Sequence, residues 1–332
     1  MTASGSGSAD HHYPARMRRL VLVANPTASG FTAVIHREVV ALLSAGYRVT
    51  PVWPESPEGA RLAAAEAAEA GYEVVAAMGG DGVVHQVANG LLSGATSMAV
   101  IPAGTTNVLA RIIGYPPDPR DAAAAVARSS ATRQIPVASV TTDSALGIQE
   151  RLATFAAGVG FDAAVIRRAE QTPLAKVDWG PIHYARNAAG LLWSDYRRRR
   201  PHLRVTAGRR SADAVTVMVQ LHDVFTYFGP APLHLAGDRG GPGAAVIARL
   251  TTLRLLRLLA GAARRRDLSR VPGVQVWTGF DSLTVEADPP AWAEADGELL
   301  GRASRVTIAP HADGISIIDT GPRPPRRRFR VP

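Results

Sequence analysis

A chain of 332 residues, 46% of them hydrophobic, is long enough for two folded lobes with full-sized cores. It has no cysteine, which excludes disulfides, thiolate metal sites and cysteine nucleophiles. The net charge of +9 is almost wholly arginine, with Lys176 the single lysine, and no apolar run reaches the ~18 residues of a spanning helix. Arginine clusters at 197–200, 264–266 and 326–328 suit an anionic partner (nucleic acid, a phosphate ligand or an acidic membrane face), or simply make a solvated basic surface.

Residues 1–17 read as a disordered leader, Gly/Ser-rich and without the apolar segment of a secretory signal. Arg19 to Ala24 is the first expected strand, followed by the turn Asn25-Pro26-Thr27-Ala28-Ser29-Gly30 and a helix over 31–44. Small hydrogen-bonding residues at such a turn suit phosphate oxygens or plain turn chemistry; the Gly-Lys-Ser/Thr ending of a P-loop is missing. Tyr47 to Trp53 reads as a strand and Pro57 to Ala70 as a helix. The apolar run from Tyr72 then enters Gly79-Gly80-Asp81-Gly82, after which Val84, Val87, Ala88 and Leu91 recur at helical spacing. Glycines on a strand-to-helix turn allow a sharp bend, and the new helix offers free N–H groups to a phosphate. Asp81 either caps a helix there, or needs a metal or a proton between itself and the phosphate.

Ser97 to Ile101 is the next strand and ends in Pro102-Ala103-Gly104-Thr105-Thr106-Asn107, before a helix over 108–113 that stops at Gly114. Strand–helix alternation implies a parallel sheet, whose ligands bind at the carboxyl ends of the strands. Three turns rich in glycine and hydroxyls share that edge, which is more specific than any one of them. After a helix over 118–129 strands follow strands, so the second domain is expected to be antiparallel and β-rich, from a boundary near Arg133. Expected strands cover 134–142, 152–159, 202–207, 214–221, 273–278, 282–286 and 305–308. Two helices interrupt them. One, over 181–200, ends in the Arg197–Arg200 run. The other, over 251–266, carries Leu253, Leu256 and Leu259 beside Arg254, Arg257 and Arg264, and reads as a helix packed on a sheet or lying on an anionic membrane. Asp296-Gly297-Glu298 reads as a hairpin turn. Residues 321–332 read as a disordered basic tail.

The motifs Asn25–Gly30, Gly79–Gly82 with Asn89-Gly90-Leu91, Pro102–Asn107 with Ala110-Arg111 and Gly114, Gly158–Asp162, and Asp296–Glu298 occur in the order of the diacylglycerol kinase catalytic-domain family, which the chain resembles from about residue 18 to 320. Thr226–Gly229 is similar to the bacterial branch. The resemblance implies a Rossmann-like α/β nucleotide-binding domain over 18–133 and a sandwich-like β-rich lipid domain over 134–304, the fold shared with NAD kinases. Strands near 305–320 would return to the first domain. It implies ATP and Mg²⁺ as cofactors, with ATP on Asn25, Pro26, Ser29, Gly30, Gly79, Gly80, Asp81, Gly82, Gly104, Thr105, Thr106 and Asn107, and leaves the metal ligands unassigned.

By the same resemblance Asp296 is the general base for a lipid hydroxyl, Glu298 supports it, and Asp81 serves the Mg²⁺–phosphate network; another reading of the superfamily makes Asp81 the base. Asp81 opens a helix, so its pKa is expected to fall. A methyl at Gly80 or Gly104 is expected to fill phosphate space without unfolding the chain. The sequence departs from the family at Val83, where a threonine hydroxyl is lost, at Gln86 in place of a glutamate, and at His222 in place of an asparagine. The implied activity is phosphorylation of a lipid alcohol, diacylglycerol first, by a cytoplasmic protein held peripherally on the anionic inner face of the membrane and without a nucleic-acid partner. Sphingoid, ceramide and glycolipid acceptors, NAD, and a poorly active basic binding protein are the alternatives. Oligomeric state stays open, a homodimer included.

Overall fold

The computed structural model describes residues 17–91, 94–171, 184–237 and 241–321, with the backbone alone at 312 and 313. The expected leader up to residue 16, the tail from 322 and the first residues of the 181–200 helix lie outside the described residues.

In the first lobe β1 (Arg18–Ala24), β2 (Tyr47–Val52), β3 (Val74–Gly79) and β4 (Ser97–Pro102) run parallel in the order β2-β1-β3-β4. β3 and β4 are buried at every position. Helices cover both faces of such a strand, so its sequence is a continuous apolar run and not an alternation. Helices α1 (Ala33–Leu43), α2 (Pro57–Glu69), α3 (Asp81–Gly90), α4 (Val108–Ile113) and α5 (Pro119–Arg128) cross over between the strands. Thr32, Ser56 and Asp118 cap α1, α2 and α5 by accepting first-turn N–H groups, with Pro57 and Pro119 at helix starts that need no N–H. α4 ends on Gly114 in the left-handed region.

The second lobe begins without a linker. The boundary expected near Arg133 falls inside β5 (Thr132–Ser144), a single strand whose Ile135 and Val137 belong to the first core and whose Ala138 and Val140 belong to the second. β16 (Glu298–Ile318) does the same from the other end: it pairs antiparallel with β5 from Arg305 to Ile318, and its Ile317 pairs in parallel with Met98 of β4. The short strand expected over 305–308 is therefore the middle of one running 21 residues, past a register shift at Gly314. Two continuous strands, and not a flexible segment, join the lobes.

The rest of the second lobe comprises β6 (Gly147–Ala153), β7 (Ala156–Gly160), α6 (Phe161–Glu170), α7 (184–191, running into a π-turn over Leu192–Tyr196), β8 (Leu203–Ala207), β9 (Arg210–Ala214), β10 (Thr216–Gln220), β11 (Thr226–Phe228), β12 (Ala231–Leu233), β13 (Gly243–Ile247), α8 (Thr252–Ala263), β14 (Val274–Thr278) and β15 (Leu283–Ala295). Its strand pairs are antiparallel. β15 pairs with β8 through Thr284–Ala287 and with β7 through Ala293–Ala295, so the sheet bends across it. One core lies between these strands; a third, with Phe161, Leu192, Tyr196 and Leu258, lies where α6, α7 and α8 cover β10 and β13.

Asn89-Gly90 ends α3 where it meets α2. A Cβ on Gly90 would stand 2.4 Å from the Arg61 carbonyl oxygen and 2.7 Å from Ala64 Cβ. We expect Gly90→Ala to cost roughly 1–3 kcal/mol by overpacking this helix contact, read as a lower urea midpoint with unchanged slope.

Candidate active site

β1, β3 and β4 are neighbours, so the three turns at their carboxyl ends touch one another. Gly30 N–H donates to Ala103 O (2.8 Å), Ala103 N–H to Gly79 O (2.8 Å), and the Ser29 and Thr105 hydroxyls pair at 3.1 Å. Asn107, itself left-handed, closes the third turn: its Oδ1 accepts Gly104 N–H (3.0 Å) and its Nδ2 donates to Gly104 O (2.8 Å). A Cβ on Gly104 would lie 2.4 Å from Gly80 Cα. Backbone contact between two turns thus demands that glycine, and Gly104→Ala is not the clean probe of phosphate space expected above. Gly80 has the room: its added Cβ would meet Gly104 Cα at an ordinary 3.4 Å. Asn25 Oδ1 accepts Thr27 N–H (2.9 Å) and Oγ1 (2.8 Å), shaping the first turn, while Pro26 is exposed.

α3 starts at Asp81 with Gly80 as its N-cap, and no side chain caps it. Its first-turn N–H groups open onto the three turns, which suits phosphate oxygens. Val83 is buried, its Cγ1 filling the underside of the turn against Gly79, so its hydroxyl-less side chain does not face that opening. Thr106 lies partly exposed on the third turn.

The Asp81 carboxylate turns the other way, onto the N-terminus of α4, where its Oδ1 accepts Leu109 N–H (3.3 Å) and Val108 N–H assists. Burial pushes its pKa up to about 6, against the pull of those two N–H groups and with added repulsion from Asp296. The expected fall does not occur. The residue keeps some surface, but its carboxylate is shielded, and desolvation outweighs the helix-end hydrogen bonds. Arg111 of α4 reaches past this group to the second lobe, donating to Gly229 O (3.0 Å) and Pro230 O (3.4 Å) with its guanidinium over the Tyr227 ring. The β11–β12 hairpin is thereby held against α4.

Asp296 comes from the other side. β15 and β16 meet in a two-residue hairpin, with Asp296 at φ 55 and Gly297 at φ 85, the left-handed pair that an Asp-Gly turn provides. The turn lays Glu298 on α3, its Oε1 2.7 Å from where a Cβ on Gly82 would be. The Asp296 side chain is buried beneath it. Oδ2 accepts Thr154 N–H (2.7 Å), Thr154 Oγ1 (2.9 Å) and His85 Nδ1 (3.1 Å); Oδ1 accepts Phe155 N–H (2.9 Å) and Ala156 N–H (3.1 Å). These bonds break the strand expected over 152–159 into β6 and β7. They also leave Asp296 no lone pair for a substrate hydroxyl, a carboxylate offering about four. The general-base role expected for Asp296 does not fit this geometry.

The chain of contacts continues through α3. Asn89 Oδ1 accepts Leu152 N–H (2.8 Å) and its Nδ2 donates to Leu152 O (3.2 Å) and His85 O (2.9 Å), which fixes the amide's orientation. Nδ2 therefore faces His85 Nε2 (3.3 Å) as a donor, Nε2 accepts, and the ring proton sits on Nδ1, pointing at Asp296. His222 Nε2 donates to Thr154 O (2.8 Å), so the histidine at the departed asparagine position braces the same segment. Gln86 lies partly exposed on α3.

A second acid lies under the turn. Glu294 is buried; its Oε2 accepts Gly297 N–H (2.8 Å) and its Oε1 meets no N–H or O–H donor. Asp162, in the first turn of α6, brings its Oδ2 to the same point: a Cβ on Gly158 would lie 2.6 Å from that oxygen and 2.7 Å from Glu294 Oε1. Burial and mutual repulsion raise Glu294 well above the carboxylate range, and burial raises Asp162. One proton shared between them completes the pair. The motifs supply Asp296, Asn89 and Asp162, but nothing in the sequence marks His85, Thr154 or Glu294, whose partners are far away along the chain.

Among the described residues no three His, Asp or Glu side chains are grouped to hold a metal ion. Mg²⁺ commonly takes one or two carboxylates together with substrate phosphates, and Glu298, lying on the uncapped first turn of α3 at Gly82, fits that pattern. Cavities of about 700 and 800 Å³ lie elsewhere, in the second lobe around Pro201–Arg204 and between α6 and α7, and contain no turn residue.

The combination of a parallel α/β lobe, a β-rich lobe and an acidic hairpin facing a glycine-lined sheet edge defines the diacylglycerol kinase-like fold. A candidate diacylglycerol kinase structure from Bacillus anthracis str. Sterne superposes with a TM-score of 0.71 at 18% identity, over 94% of this chain and 98% of that one. A second structure of a diacylglycerol kinase from the same strain gives 0.65 at 17%, over 92% and 97%. Residues 19–140 match the family described as the diacylglycerol kinase catalytic domain. The diacylglycerol kinase of Bacillus subtilis (strain 168) is 35% identical over 104 residues, 30% of this chain and 34% of that protein. That of Staphylococcus epidermidis (strain ATCC 12228 / FDA PCI 1200) is 31% identical over 105 residues, covering 30% and 33%. The matched segment thus spans about a third of the curated relatives' length.

Two outcomes follow from this geometry. Asp296→Asn puts an amide donor against N–H groups and should lower stability by roughly 2–5 kcal/mol, measured by denaturant unfolding without any nucleotide. Glu294 and Asp162 have raised folded pKa values, so the stability they confer is full below the unfolded carboxylate values near 4 and is lost as pH rises through the raised ones. Glu294→Gln, which still donates to Asp162 and accepts from Gly297, should be more stable than wild type at pH 8 and show a flatter decline between pH 5 and 8 in thermal melts.

Proposed function

We propose that the chain is an ATP-dependent lipid kinase that transfers the γ-phosphoryl group of ATP to the hydroxyl of a lipid alcohol, with diacylglycerol the first candidate and phosphatidic acid its product. The observation that carries this reading is the meeting of three glycine- and hydroxyl-bearing turns with the Asp296-Gly297-Glu298 hairpin at one sheet edge. The matched catalytic domain supports it.

In this reading the phosphates of ATP rest on the uncapped start of α3 at Gly79, Gly80 and Gly82, with Ser29, Thr105 and Thr106 donating from the adjacent turns. Glu298 would hold Mg²⁺ together with phosphate oxygens; when bound, the ion neutralises charge that develops during transfer. The acceptor hydroxyl oxygen bonds to the γ-phosphorus, the bond to the bridging oxygen of ADP breaks, and Asp81 takes the hydroxyl proton. Asp81 suits this better than Asp296 because only two backbone N–H groups occupy its carboxylate, which leaves lone pairs open, and because it is desolvated enough to hold a proton near neutrality. Asp296 positions the hairpin that carries Glu298. The lipid is drawn from the anionic inner face of the membrane, on which the protein works peripherally from the cytoplasm.

Asp81→Asn should cut turnover by ~10²-fold or more while Mg²⁺-ATP still raises the melting temperature. The assay uses labelled ATP with a diacylglycerol dispersion, other lipid alcohols and NAD in parallel. Label appearing in NAD alone, or undiminished turnover in the variant, would sink the reading.

A further inference from the structure

We propose that the outer face of α8 docks the protein onto an anionic phospholipid bilayer. This rests on the reading of the substrate as a membrane lipid and adds the surface by which the protein reaches it.

α8 is amphipathic in an unusual sense. Its inner face is satisfied: Leu258 and Ala262 are buried in the core formed with α6 and α7, and Leu255 packs against it. Its outer face nevertheless carries Leu253, Leu256 and Leu259, which are 58%, 59% and 43% exposed. Three leucines at successive turns of one helix, open to solvent, ask for an apolar phase. On α7, in the same helical layer, Trp193 is exposed as well.

The surrounding charge says which phase. Residues 249–266 contain six arginines and no Asp or Glu. Among the described residues only Arg265 of the six is seen in an ion pair, with Asp223. Arg254 and Arg264 donate to backbone carbonyls, Arg249 O and Ala260 O, and so keep their positive charge uncompensated. A second copy of this face would be repelled by it. Nucleic acid would match the arginines but offer nothing to three leucines. The interface of an acidic bilayer offers head-group phosphates to the arginines and acyl chains to the leucines at the same depth. No helix among the described residues is long and apolar enough to cross a membrane, so contact of this kind would be reversible.

α8 is also joined to the candidate site. His234 N–H, following β12, donates to Ala262 O (3.1 Å), and Leu233 packs into the α8 core. The tip of the same hairpin, Gly229 and Pro230, is held by Arg111. One hairpin therefore links the docking helix to the edge where the three turns meet.

The test is co-sedimentation of the full chain with vesicles of phosphatidylcholine alone or with added phosphatidylglycerol. Wild type should bind the mixed vesicles at least tenfold more than the neutral ones and lose that preference as salt rises, because exposed charges are screened over roughly 8–10 Å at physiological ionic strength. Leu253→Gln/Leu256→Gln/Leu259→Gln should lower binding at least tenfold with an unchanged melting temperature, since all three side chains are exposed and glutamine is a comparable helix former. Arg257→Glu/Arg264→Glu should do the same. Turnover of a short-chain, water-soluble diacylglycerol should stay at the wild-type level in both variants. Wild-type binding by the leucine variant overturns the proposal, as does failure of wild type to bind the mixed vesicles, or a wild-type dimer that the leucine variant dissolves. If the vesicles behave as expected while no lipid alcohol is phosphorylated, the docking face stands and the kinase reading falls.

Discussion

The Asp296 carboxylate is the point on which the two lobes depend. Four donors from residues 154–156 and one from His85 converge on its two oxygens, all of them shut off from water. Removing those donors' partner would strand buried N–H groups, each of which costs about as much as a whole hydrogen bond contributes. The clamp fixes three things together: where β6 gives way to β7, how α3 of the first lobe sits on the second, and where the β15–β16 hairpin presents Glu298. Continuity of β5 and β16 through both lobes makes the same connection at the level of the backbone. A hinge is absent from these joints, and the cleft geometry is set by strands and one buried acid.

Three carboxyl environments close together show how burial separates roles. Asp296 is saturated with donors. Asp162 and Glu294 have too few and share a proton. Asp81 has two backbone donors from α4, and desolvation still raises it to about 6. A helix end lowers a pKa through partial charges that fade within a turn, whereas desolvation acts on the whole ionised group. The number of donors each carboxylate finds decides how many of its lone pairs stay open.

The glycines of the turns divide in a similar way. Gly104 lies against Gly80 because two backbones touch, and Gly82 makes room for Glu298; a Cβ added at Gly80 would meet Gly104 Cα at an ordinary 3.4 Å. A single glycine-rich motif therefore contains positions fixed by packing and others that have room for a Cβ.

The sequence by itself determined the alternation of β1–α1 through β4–α4, because β3 and β4, buried on both faces, write themselves as unbroken apolar runs, and α1 and α2 open on capping residues. It also determined the three turns at one sheet edge and the Asp-Gly hairpin, since their backbone conformations require those residue types locally. Their order was enough to point to a diacylglycerol kinase catalytic domain. Only the tertiary structure decided that Asp296 is a clamp, that Asp81 is raised and not lowered, and that Glu294 meets Asp162. It alone showed β16 as one strand of 21 residues serving both lobes. Each of these depends on partners tens to hundreds of residues away, as His85 and Asp296 are 211 apart, and on water being excluded between them. Period and motif report what a segment needs from its neighbours in the chain; hydrogen-bond saturation and desolvation report what arrives from elsewhere.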